Sequence, residues 1–153
     1  MSKATPAAVA VLRQATALRP KRKKASDGLL PSAAHIHQNP NSDHNNGYAV
    51  DLTHDKLGGI DCVNLFEELK ADKRVKYLIF QGKIWSAERA SEGDREYTGS
   101  NKHNKHLHIS IKEGCGDDTS PWFPWLGTPK VVAKVKAAVK PLPKKKEPTS
   151  PKE

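Results

Sequence analysis

Cysteine is scarce in this chain. Cys62 and Cys115 are the only two among 153 residues, and their separation is not that of a metal knuckle. Nothing in that spacing points to a thiolate-held metal; one disulfide is the alternative, and two ordinary thiols are expected. Long apolar runs are missing as well: none approaches the ~20 residues that a membrane-crossing helix needs. The short Ala7–Leu12 stretch runs straight into Arg13 with no cleavage-type sequence. No secretory signal is read there, and cytoplasmic synthesis is the expectation. No segment repeats, which excludes a solenoid or a propeller. At this length a single monomeric domain with a modest core is expected.

Positive charge is what the chain has in plenty, and it sits at the ends. Residues 1–24 carry seven Lys or Arg and no acid, and residues 130–153 carry eight Lys against two Glu. The net charge of +9 therefore hides a middle, 25–129, that is acidic by four charges. Basic ends of this kind suit an anionic polymer, whether nucleic acid, teichoic acid or a membrane surface. All seven histidines fall between residues 35 and 108, inside the acidic middle. Three regions follow: a basic N-terminal helix and charge run over 1–24, a central domain over 25–129, and a disordered Lys/Pro-rich tail over 130–153.

Along the chain, Ala8, Val11, Leu12, Ala15 and Leu18 recur at helical spacing. Thr5 is placed as N-cap, Pro6 at the first helical position and Pro20 as the stop. Lys21–Lys24 reads as a solvated charge run. Residues 26–46, rich in Ser, Asn, Pro, Gly and His, read as an ordered coil, and a coil that long inside a small domain points to function. Tyr48–Thr53 alternates as a strand with Ala49, Asp51 and Thr53 on one face, and Gly47 is expected to leave the site open to close backbone approach. Asp61 caps a second helix whose stripe is Cys62, Phe66 and Leu69, flanked by Val63 and Leu65. Val75–Phe80 and Ile84–Trp85 form a hairpin through the Gln81-Gly82-Lys83 turn. Residues 86–105 read as a loop that carries Tyr97 and His103 toward a last strand, and Trp85, Trp122 and Trp125 read as core or cleft aromatics. The fold class expected is α+β: a small antiparallel sheet carrying the site, flanked by two helices.

The last strand carries the local signal for chemistry. His106, His108 and Ser110 alternate with Leu107, Ile109 and Ile111, which puts both imidazoles on one face and three aliphatics on the other. A purely structural strand rarely spends its polar face on two histidines. Two histidines and a carboxylate, with a fourth position left for water, make the usual hydrolytic zinc site.

Ser42-Asp43-His44-Asn45-Asn46-Gly47-Tyr48-Ala49-Val50-Asp51, followed at a distance by His106-Leu107-His108, resembles the zinc peptidases that share a fold with D-Ala-D-Ala carboxypeptidases, lysostaphin-type enzymes and the hedgehog domain. The pattern Ser-x-His-x-x-Gly-x-Ala-x-Asp matches at Ser42, His44, Gly47, Ala49 and Asp51. The similarity runs from about Leu12 to Lys112 and is strongest to small phage-type members, with Ser26-Asp27-Gly28 upstream and Tyr97-Thr98-Gly99-Ser100 before the last histidines. It implies zinc held by His44, Asp51 and His108, and an endolysin-like metallopeptidase that hydrolyses the peptidoglycan stem peptide. The wall would then be reached by release of the phage holin kind. Terminal D-alanine, the L-Ala-D-Glu bond and cross-links all stay open as the bond cleaved.

One further absence bears on the proton. Carboxypeptidase-type members place an acid a few residues before the last zinc histidine, and Tyr97–His108 contains none. His106, on the face of His108, is the first choice for proton transfer and His103 the second. Asp94 and Glu96 are the nearest acids upstream. His54, three residues after Asp51, reads as structural, and His35 and His37 as loop-surface residues. Ser42 reads as a brace for the loop or a substrate contact. Two other classes compete. Asp43-His44, Gly58-Gly59 and Asn64 imitate the opening of a ββα-metal endonuclease motif, but no closing histidine occurs between Leu65 and Lys102, so nucleic acid is not the expected partner. A zinc-stabilised binding module without catalysis is the third reading.

Overall fold

The computed structural model describes residues 3–30 and 41–126. Its centre is a five-stranded antiparallel sheet in the order β1-β5-β2-β3-β4. The strands are β1 (Ala49–Thr53), β2 (Val75–Phe80), β3 (Lys83–Ser86), β4 (Arg95–Glu96) and β5 (His106–Ile111). The last strand in sequence thus lies between the first two, and the expected α+β architecture is the one observed. Two α-helices are present among the described residues, α1 (Pro6–Leu18) and α2 (Cys62–Glu68).

Period-two alternation decides which face of the sheet is core. Val50, Leu52, Leu78, Leu107 and Ile109 are fully buried on one face. Ala49, Asp51, Thr53, His106, His108 and Ser110 share the other, because Asp51 is the register partner of His108 and Ala49 that of Ser110. Leu65, Phe66 and Leu69 bury their side chains from α2 and the turn after it, whereas Val63 is exposed. From α1 the buried residues are Ala7, Ala8, Ala10, Val11 and Ala15; Leu12 and Leu18 are only half-buried. Small residues on that face let the helix lie close to β1.

The caps are those the sequence calls for. Thr5 Oγ1 accepts from the Ala8 N–H at 3.3 Å with Pro6 in the first turn, and α1 stops at Leu18. Arg19, which precedes Pro20, is pushed out of helical geometry to φ −135°, ψ 77°. Asp61 caps α2 by accepting from the Val63 N–H at 3.0 Å. The β2–β3 hairpin turns on Gln81 (φ 48°) and Gly82 (φ 79°), two left-handed residues in a row, as the favoured two-residue hairpin turn requires. Residues 86–105 are more regular than a loop: a 3₁₀ stretch covers Ala87–Glu92, and Arg95–Glu96 pair with β3.

Two expectations are corrected. The run Lys21–Lys24 is not uniformly solvated. Arg22 is 4% exposed and holds Asp27 through two bonds of 3.0 and 2.7 Å. The guanidinium turns inward because Asp27 is bonded to the end of β1, where its Oδ1 also accepts from the Thr53 N–H and Oγ1 at 3.1 and 2.7 Å. Gly47, for its part, does not open the site. Its φ of 79° ends a 3₁₀ turn, and a Cβ there would strike the Lys3 carbonyl. The close approach it permits is that of the N-terminal strand of chain, whose Thr5 N–H donates to the Gly47 carbonyl at 2.9 Å.

A buried Arg74 closes the other end of this unit. It pairs bidentately with Asp72 at 2.9 and 2.7 Å, donates to the carbonyls of Asp118, Ser120 and Pro121, and stacks 3.6 Å from the Trp122 ring centroid. Trp122 is fully buried and donates to the Ala7 carbonyl. The chain divides after Trp122. Beyond it, Trp125 is 41% exposed and meets Phe123 edge to face. The tail expected over 130–153 lies outside the described residues. No described helix is long and apolar enough to cross a membrane, and both cysteines are free thiols.

Candidate metal centre

The polar face of β1 and β5 becomes a site because a segment of coil is laid along β1. Lys23 N–H donates to Asp55 Oδ2 at 2.8 Å and Ser26 N–H to Thr53 Oγ1 at 2.9 Å. Gly28 then pairs with Asp51 in both directions, N–H to carbonyl, at 3.1 and 2.8 Å. This brings the next carbonyl, that of Leu29, to His44 Nδ1 at 2.8 Å. His44 itself sits in the 3₁₀ turn Asp43–Asn46, which Ser42 caps by accepting from the His44 N–H at 3.2 Å. Ser42 therefore braces the loop.

The Leu29 carbonyl can only accept, so it fixes the His44 tautomer. The proton sits on Nδ1, and Nε2 is left with its lone pair. That Nε2 lies 3.2 Å from Asp51 Oδ1. His108 Nδ1 is 3.3 Å from the same oxygen yet is buried without a hydrogen-bond partner. Its other nitrogen, Nε2, is 2.8 Å from Ser110 Oγ. Both rings thus spend one nitrogen on a second group and turn the other toward one carboxylate oxygen.

Electron pairs facing a carboxylate repel it unless a cation, proton or metal, lies among them. Burial raises the Asp51 carboxyl, but the hydrogen bonds and charges of His108 and His44 outweigh it and hold the carboxyl well below its usual range. Burial is the largest single effect on His44 and lowers it, but the hydrogen bond and charge of Asp51, the Leu29 carbonyl and the Asp43 charge together outweigh burial, so His44 holds a proton more tightly than an ordinary imidazole. Zinc bonds to nitrogen and oxygen of about 2.0–2.2 Å in a tetrahedron put neighbouring ligand atoms roughly 3.3–3.6 Å apart. The separations of 3.2 and 3.3 Å are close to that spacing. His44, Asp51 and His108 form a cluster that could hold a metal ion, their ligand atoms all within 4.8 Å of one another.

The two residues expected to move protons are in the same place. His106 Nε2 is 3.4 Å from the other Asp51 oxygen, Oδ2, and is buried without a hydrogen-bond partner. His103 arrives from the loop with φ 59° and packs its ring edge-on against His106 at 5.0 Å and His108 at 5.4 Å. Burial lowers His106 below an ordinary imidazole, and with the His108 charge it pushes His103 down to about 4. His44, Asp51, His103, His106 and His108 are thereby brought together.

Others are elsewhere. His54 Nδ1 accepts from the Cys62 N–H at 3.0 Å, which caps α2 and leaves the ring against Phe80. Asp94 is taken by Lys70 at 2.7 Å, and Glu96 is exposed on β4 opposite Lys83, so neither reaches the centre. His35 and His37 lie outside the described residues. Tyr77 was not foreseen. It stacks on His108 at 5.3 Å and 12° between planes, and burial pushes its hydroxyl up to about 12. Only the order of strands places it there, since β2 pairs with β5 at Tyr77–Ser110.

Among known proteins, a family model described as VldE, C-terminal domain matches residues 2–108, a span that takes in His44, Asp51, His103, His106 and His108. No curated protein and no solved structure matches the chain.

Proposed function

We propose a hydrolytic zinc enzyme for this chain, which belongs to the family described as VldE, C-terminal domain. The reading rests on one observation: His44 Nε2 and His108 Nδ1 converge on a single Asp51 oxygen at 3.2 and 3.3 Å while their other nitrogens are committed to Leu29 and Ser110. Three ligands of this kind, with room for water, are the catalytic rather than the closed structural arrangement. Bound there, zinc would supply a Lewis acid and an acidified water with a pKa near ~7. The chain supplies the rest. Asp51 holds both imidazoles by charge, the Leu29 carbonyl fixes the His44 tautomer, Ser110 engages His108 Nε2, and Tyr77 stacked on His108 limits its rotation. His106 presents a buried, unpartnered Nε2 to the other Asp51 oxygen, Oδ2, and would accept a proton from the attacking water. His103, the harder of the two to protonate, borders it.

The substrate class comes from the resemblance to the zinc peptidases of the D-Ala-D-Ala carboxypeptidase, lysostaphin and hedgehog fold. It is the peptide stem of peptidoglycan, with the basic ends attracted to an anionic wall polymer. The endonuclease reading has less support. Asn64, which it needs beside His44, is exposed on the first turn of α2 and donates to Asp61 Oδ2 at 3.4 Å. The test is to incubate purified, zinc-loaded protein with peptidoglycan and, separately, with plasmid DNA. New amino or carboxyl ends in the muropeptides are expected, and intact plasmid. Nicked DNA with untouched peptide would replace this reading by the endonuclease, and neither product by a zinc-stabilised binding module.

A further inference from the structure

Asp51 uses only one of its two oxygens on His44 and His108. The other, Oδ2, faces His106 Nε2 at 3.4 Å, and that nitrogen is buried without a hydrogen bond. His103 is 9% exposed, and its Nδ1 is likewise buried without a partner. Its own backbone N–H is used by Asn101, which fixes the loop that delivers the ring. Asp51, His103 and His106 each offer a ligand atom within 4.8 Å of the other two. This is a second set of one carboxylate and two imidazoles built around the same Asp51. Buried nitrogens with no partner cost free energy, and either a water or a cation would relieve them.

We propose that Asp51, His103 and His106 form a second cation site sharing Asp51 with the first, and that a zinc ion held there takes His106 out of proton transfer. The inference rests on the hydrolytic reading of the first site and adds its regulation. A carboxylate can bridge two divalent ions, one on each oxygen, as in two-metal hydrolytic centres. The first ion lowers the charge of Asp51 before the second arrives, so the second is bound more weakly. Activity therefore rises as the first equivalent of zinc is added and falls as the second fills. The fall is about 10²-fold or more, the contribution of a positioned base.

The experiment is a zinc titration of the full wild-type chain, followed by the ¹⁵N resonances of its imidazoles and by elemental analysis after each step. His44 and His108 should shift over the first equivalent, and His103 and His106 over a second, weaker one. His103→Ala and His106→Ala should each bind a single equivalent. The wild-type spectra decide the matter even where a variant fails to fold. Resonances of His103 and His106 that stay still in excess zinc overturn the proposal while leaving the first site intact. So does a second equivalent that moves only His35 or His37, or that survives in both variants. If His44 and His108 do not shift either, the hydrolytic reading falls with it.

Discussion

Asp51 and His108 are direct register partners across β1 and β5, and Asp51 Oδ1 lies 3.3 Å from His108 Nδ1. A slip of one residue in either strand would send one of the two through the sheet into the aliphatic core. The core face, with Leu52, Leu107 and Ile109 fully buried, therefore fixes the register that makes the centre.

Metal retention should depend on His44, Asp51 and His108 alike. Wild-type protein is expected to keep about one zinc per chain through mild dialysis, and His44→Ala, Asp51→Ala and His108→Ala to keep close to none. Far-UV circular dichroism on the same samples separates loss of metal from loss of fold. A folded His108→Ala protein with full zinc content would remove this residue from the ligand set.

Much of this could be read in the sequence, and the limit is physical. Thr5, Pro6, Asp61 and the Gln81-Gly82 turn act through neighbours within a few residues, so their effects are visible in order along the chain. The alternation of His106 to Ile111 is equally local. The inward turn of Arg22 is not legible locally, because its partner, Asp27, is bonded to Thr53 and its neighbour Gly28 pairs with Asp51, a contact across 23 positions. Tyr77 was missed because β5 inserts between β1 and β2, and nothing local announces that strand order. Gly47 was expected to serve the site and instead serves the N-terminal segment, since only the fold says which backbone passes in front of it.

The Arg22–Asp27 pair predicts acid sensitivity. Burial would raise the Asp27 carboxyl, but bonds from Arg22 and Thr53 outweigh it and hold it below its ordinary 3.8. A group depressed on folding stabilises above its unfolded value, and that stability drains as pH falls through the folded one. Urea denaturation should therefore show the contribution in full at pH 6–7 and its loss below about pH 4. Asp27→Asn, which strands a buried guanidinium, should cost roughly 2–4 kcal/mol at neutral pH, somewhat below the usual range because Asp27 keeps some solvent contact. Equal stability of variant and wild type at neutral pH would dismiss the pair as an anchor.

Gly47→Ala should also destabilise. A left-handed residue with a Cβ costs roughly 1–2 kcal/mol, and here the Cβ also meets the Lys3 carbonyl, so the N-terminal segment must move as well. Thermal denaturation is expected to show a Tm lowered by several degrees. An unchanged Tm would mean that the Lys3–Thr5 contact contributes little.

The basic tail should matter for recruitment and not for chemistry. Deleting residues 130–153 removes a net charge of +6. Binding to purified walls should weaken and lose much of its salt dependence, since attraction of this kind is screened over about 8–10 Å at ordinary ionic strength. Hydrolysis of a small soluble muropeptide should be unaffected. A large loss on that substrate would make the tail part of the folded enzyme.

His106 separates an enzyme from a metal-binding module. It lies two residues from His108 on the same strand, so the two side chains leave the backbone about 6.6 Å apart on one face. They then reach different oxygens of Asp51, at 3.4 Å for His106 and 3.3 Å for His108. Removing His106 therefore takes away a proton acceptor without opening the His44–Asp51–His108 set. Assayed at one equivalent of zinc, His106→Ala should retain its metal and cleave muropeptide roughly 10²–10⁴ times more slowly. His106→Gln, which keeps a polar group but cannot take the proton, should be as slow. Loss of zinc together with activity would instead make His106 a ligand of the first ion. Full activity in both variants would pass the proton to His103, whose replacement is then the next measurement.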